Sequence, residues 1–105
     1  MYTIIETPVY ARKAADLLEE DERESVAAFV AFNPKAGSVI PRSGGIRKLR
    51  WRTIGGGKRG GHRVIYFNRL QQGQIWLLTI FSKQRRSNIS TSELILIRKA
   101  IDDGR

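Results

Sequence analysis

At 105 residues the chain fits one domain, residues 1–105, because dividing it would leave two hydrophobic cores too small to hold. The lack of cysteine and the single histidine, His62, exclude a disulfide framework and any thiolate or multi-histidine metal site, so no cofactor is expected. The formal net charge is +9, and between Ser25 and Ser92 stand thirteen Lys or Arg and not one Asp or Glu.

Like charges gathered in one folded segment repel, and a polyanion is the natural partner that neutralises them. A merely soluble surface usually mixes both signs, so nucleic acid or a ribosome is the favoured partner. No stretch approaches the roughly 20 apolar residues that span a bilayer, and the N-terminus lacks a basic segment followed by an apolar run. The expectation is a cytoplasmic protein with no membrane partner.

Thr3 to Thr7 is short and β-branched and runs into Pro8, which predicts an edge strand or one that stops there. From Val9 the apolar residues Ala11, Ala14, Ala15, Leu17 and Leu18 fall mostly at helical spacing. Asp21 with Glu24 reads as a capping box opening a second helix, whose stripe is Val26, Phe29 and Val30. That helix should end near Phe32, because Asn33 precedes Pro34 and is pushed out of the α region. Lys35 to Gly45, with Gly37, Pro41, Gly44 and Gly45, reads as a loop.

From Ile46 the pattern has period two. Leu49 and Trp51 share one strand face, with Arg47 and Thr53 towards its ends; Lys48, Arg50 and Arg52 share the other. Cations at alternate strand positions stand roughly 7 Å apart, close to the phosphate repeat of a nucleic-acid strand. Gly55, Gly57 and Gly60 match G-x-G-x-x-G, but the dinucleotide fingerprint requires a following helix, and Arg63 to Phe67 reads as a strand, so that motif is rejected. Asn68 to Gly73 reads as a turn, and Ile75 to Phe81 as a central strand covered on both faces. Ser90 and Glu93 form another capping box, ahead of a closing helix with the stripe Leu94, Ile97, Arg98 and Ile101. The order β-α-α-β-β-β-α predicts an α+β fold in which two early helices cover one face of a small, mainly antiparallel sheet. The other face is then partly free for Lys48, Arg50, Arg52 and Arg63.

The stretches FNPKAG (32–37), GGIRKLRW (44–51), GGGKRGG (55–61), HRVIYF (62–67) and IWLLTIFSK (75–83), in this order, resemble the RelE/ParE superfamily of bacterial toxins, most closely its HigB-type branch. The resemblance implies the toxin of a type II toxin–antitoxin system, a ribosome-dependent messenger-RNA endoribonuclease that inhibits translation. Its implied partners are a cognate antitoxin, often a small helix-turn-helix protein, together with mRNA and the ribosome; DNA is reached only through the antitoxin complex. Carried over by position, the basic residues are Lys48, Arg50, Arg63 and Lys83. Where RelE proper has an arginine and a tyrosine, this chain has Gln84 and Ser90, with Arg85 and Arg86 next to the first.

RNA carries its own nucleophile, the 2′-hydroxyl, so cations that stabilise the charge developing on the phosphate can cleave it without a cofactor. Arg50 and Arg63 are assigned that part. Arginine cannot ordinarily serve as a base, whereas a lysine crowded by cations can; Lys48 is the preferred base and Lys83 the second. Arg47, Arg52, Lys58, Arg59, Arg85 and Arg86 are the candidate RNA-binding residues. His62 and Arg63 must point to opposite faces, and Arg63 is expected inward with His62 a bystander. Trp51, Tyr66 and Trp76 could stack on bases but are expected in the core. Two alternatives remain: a ParE-like toxin that inhibits DNA gyrase, and a non-catalytic RNA- or ribosome-binding module.

Overall fold

The computed structural model describes residues 2–52, 61–85 and 88–103. A first strand, β1 (Thr3–Glu6), leads into α1 (Pro8–Leu17). Proline is tolerated at the start of a helix, where its missing N–H would go unused, and Thr7 caps the turn by accepting from the Tyr10 amide at 3.1 Å. The second helix, α2 (Glu20–Phe32), is capped by Glu19 without a side-chain hydrogen bond. The capping box expected at Asp21 and Glu24 is therefore not formed: Asp21 lies inside the first turn and its carboxylate accepts from the Glu22 amide. Acids at 20, 21 and 22 suit the positive end of the helix dipole, so the helix begins before the predicted cap. Its end at Phe32 agrees with the proline argument.

Within the segment expected to be a loop, Ser38–Val39 forms β2, paired antiparallel with Lys48 and Arg47 of β3 (Arg47–Trp51). Two paired residues are too few to leave a periodic signal in the sequence. The strand β4 (His62–Arg69) runs antiparallel to β3 and, across a single 3₁₀ turn (Leu70–Gln72), to β5 (Gln74–Ser82). Its last residues, Asn68 and Arg69, were expected in the turn; the 3₁₀ turn and left-handed Gly73 accomplish the reversal in fewer residues. The closing helix, α3 (Thr91–Asp102), opens on the predicted Ser90–Glu93 capping box. Thr53, the glycine-rich stretch through Gly60 with Lys58 and Arg59, and Arg86 lie outside the described residues.

The sheet order is β1-β5-β4-β3-β2, with β1 parallel to β5 and the remaining pairs antiparallel. This is the expected α+β architecture. One face carries Leu49, Val64, Tyr66, Ile75, Leu77 and Ile80, packed against Tyr10, Ala14 and Leu18 from the first helical segment and Val26 and Val30 of α2. On the other, Ile46, Ile65, Trp76, Leu78 and Phe81 pack against Ile101, with Leu94 and Ile97 half-buried beside them. The run from Ile75 to Phe81 is buried throughout, as a central strand requires. No helix among the described residues is long and apolar enough to cross a membrane.

Candidate RNA-binding face

Strand pairing fixes which cations meet. Across β3 and β4 the register places Arg50 directly opposite Arg63, and Lys48 opposite Ile65; residues paired in this way share a face of the sheet. Lys48, Arg50 and Arg63 therefore lie on one face, the one whose β4–β5 portion is covered by α3. His62 pairs with Trp51, which packs on Phe29 of α2, and so lies on the face covered by α1 and α2; the predicted alternation of His62 and Arg63 is observed.

The three cations differ in environment. Arg50 is exposed, Lys48 half-buried, and Arg63 only 7 % exposed. Burial, reinforced by the charges of Arg50 and Arg52, pushes the Arg63 guanidinium below its ordinary range. Guanidinium is basic enough to remain a cation at neutral pH all the same. One of its nitrogens donates to the His62 carbonyl at 3.3 Å, which turns the head back along its own strand. A buried cation in the field of two others is a place where an anion is favoured.

Lys48 is held from another direction. Its ammonium donates to the side-chain oxygen of Asn88 at 3.3 Å, and that oxygen also accepts from the Ile89 amide at 2.9 Å. Sequence reasoning missed Asn88, which stands among residues judged by charge; its only signal was its place just before the Ile89–Ser90 entry to α3. The Lys83 amide donates to the Gly61 carbonyl at 3.0 Å, which sets the turn after β5 beside the start of β4. Arg85 in that turn and Arg52 beyond the end of β3 are exposed.

Arg47 belongs elsewhere. It alternates away from Lys48 along β3, and its guanidinium donates to the carbonyls of Gly37 at 2.6 Å and Lys35 at 3.3 Å. The structure thus separates it from the other candidate RNA-binding cations. The same corner is tied by Tyr66, whose hydroxyl accepts from the Gly37 amide at 2.9 Å and donates to the Pro34 carbonyl at 2.8 Å. A Cβ on Gly37 would stand 2.9 Å from both the Lys48 carbonyl oxygen and the Tyr66 ring, so this backbone can approach so closely only as glycine. Tyr66 and Trp76 are core residues, and Trp51 packs edge-on against Phe29 with ring centroids 5.9 Å apart; none of the three lies open for stacking on a base.

A family model described as the RelE toxin of the RelE/RelB toxin–antitoxin system matches residues 35–103. The chain belongs to the RelE toxin family. The match opens at the loop tied by Tyr66 and runs through the cationic face to the last turns of α3, so every candidate catalytic position lies within it. As a RelE-family toxin the protein is one half of a toxin–antitoxin pair, with a cognate antitoxin as partner.

Proposed function

We propose that this RelE toxin is a messenger-RNA endoribonuclease acting on the ribosome, of the HigB-type branch, and that Lys48, Arg50, Arg63 and Lys83 form its cleavage centre. The supporting observation is the direct pairing of Arg50 with Arg63 on the sheet face that also carries Lys48. Two arginines paired across adjacent strands, Arg50 exposed and Arg63 buried beside it, are suited to the non-bridging oxygens of a phosphate, which guanidinium recognises as a planar fork.

In the reaction, Lys48 takes the proton of the ribose 2′-hydroxyl. The freed oxygen attacks the adjacent phosphorus, the bond to the 5′-oxygen breaks, and that oxygen leaves with a proton supplied by Lys83 or solvent. The products are a 2′,3′-cyclic phosphate and a 5′-hydroxyl. Arg50 and Arg63 stabilise the additional negative charge of the five-coordinate phosphorus, the part of the reaction in which a preorganised cation acts most strongly. Arg52, Arg85 and, outside the described residues, Lys58, Arg59 and Arg86 hold the flanking phosphates.

Induced expression followed by primer extension on a reporter message tests this reading. Cuts within translated codons are expected, with protein synthesis stopping before DNA synthesis in pulse labelling. Because Arg50 is exposed, Arg50→Ala should keep the fold while lowering cleavage about 100- to 1,000-fold. Replication stopping first, or cleavage unchanged in Arg50→Ala, would refute the proposal.

A further inference from the structure

We propose that Asn88 is a positioning residue for Lys48, holding the lysine amine over the strand face where the ribose hydroxyl must lie. The inference rests on the nuclease reading of the same site. Lysine has a long side chain with free rotation about each bond, and on this face it is repelled by Arg50 and Arg63. Without an acceptor its head would turn outwards into solvent. Asn88 supplies that acceptor at 3.3 Å, and it is a fixed one: its oxygen is oriented by the Ile89 amide, Ile89 packs on the second core, and Ser90 caps α3. The docking of α3 is thereby translated into the placement of one amine.

The chemistry of the acceptor matters as much as its place. A carboxylate at 88 would hold the lysine as well but would stabilise its ammonium form, the form that cannot take a proton. A neutral amide positions the amine with a much smaller bias towards that form. The other ionisable groups on the elements bordering this face are Arg47 and Arg50 on β3 with Arg52 just beyond it, Arg63 and Arg69 on β4, Lys83 and Arg85 after β5, and Glu93, Arg98, Lys99 and Asp102 on α3, the Arg98 guanidinium pairing with Asp102. Glu93 is engaged with Ser90, and the acceptor that the Lys48 ammonium meets is the neutral amide of Asn88.

The test compares the full-length wild type with Asn88→Asp and Asn88→Ala; Asn88 is exposed, so both substitutions leave the two cores intact. The first readout is the NMR titration of the Lys48 ε-carbon in the free protein, assigned with Lys48→Arg. In Asn88→Asp the titration should move to higher pH, as for a cation gaining a carboxylate neighbour. The second is single-turnover cleavage of a message on programmed ribosomes across pH. Asn88→Asp should move the ascending limb to higher pH by the same interval, and Asn88→Ala should lower the plateau about tenfold. Midpoints unmoved in Asn88→Asp, with cleavage still dependent on Lys48, would overturn the role of Asn88 and spare the nuclease reading. A wild type that cuts nothing, or cuts equally well as Lys48→Ala, would overturn that reading and this inference with it.

Discussion

Arg47 and Arg52 stand five residues apart in a stretch where charge alone does not distinguish them, yet they do different work. Arg47 braces the backbone at Gly37 and Lys35, whereas Arg52 is exposed and adds to the field at Arg63. Arg47→Ala should therefore lower stability by about 1 kcal/mol, the usual net value of a hydrogen bond, and leave RNA affinity nearly unchanged. Arg52→Ala should do the reverse; thermal melting and filter binding of a short RNA separate the two. The side to which Arg47 points follows from strand alternation, but its carbonyl partners come from a loop that no local pattern could bring to it. His62 shows a second residue-scale effect. Burial lowers its pKa below the ordinary 6.5, so the folded state prefers the neutral ring and the unfolded chain binds the proton more readily. Its contribution is complete above pH 6.5 and is lost as pH falls through the lower folded value. Replacing His62 by Gln should flatten the fall in melting temperature between pH 7 and pH 5.

At the level of elements, α3 is fastened at both ends. Its start is capped by Ser90. Near its end Ile101 is buried in the second core, the Arg69 guanidinium donates to the Ile101 carbonyl, and Arg98 reaches the Gly44 carbonyl at 3.0 Å. Cations at this end also meet the negative pole of the helix. Ser90→Ala should cost about 1 kcal/mol, as loss of a cap usually does, and Ile101→Ala about 2 to 5 kcal/mol, as loss of a buried aliphatic side chain does; urea denaturation measures both. The cap was readable because Ser and Glu three apart before an apolar stripe admit few other uses. At α2 the same logic failed, because in an acidic run any of several residues satisfies the pattern and the break at Leu18 is set by packing. The strand β2 was invisible for a different reason, being defined by its partner rather than by its own two residues.

For the molecule as a whole, the consequence of a cationic face is a salt-dependent affinity. With a single-stranded RNA each neutralised phosphate contributes about −0.7 to the slope of log affinity against log salt. Removing Arg50, Arg52 and Arg85 together should reduce that slope by about 2, measured by fluorescence anisotropy over a salt series. A change confined to the intercept would mean that these side chains do not lie along the RNA backbone. The overall layout was legible because the hydrophobic periods changed where the elements changed, and because cations at alternate positions of a strand can only share a face. What the sequence withheld was how far α3 spreads over the second face, since a helical stripe does not reveal which strands it will cover. That extent leaves Arg50 open and draws Asn88 to Lys48.

The parallel seam between β1 and β5 pairs Thr3 with Gln74 and Glu6 with Leu77. During synthesis the first strand therefore has no partner until the last strand has left the exit tunnel, and the nascent chain cannot close its sheet while its own message is still being decoded through that region. The β3–β4 pair can therefore form before the seam that holds the first strand, so the order of synthesis sets the order in which the sheet is assembled.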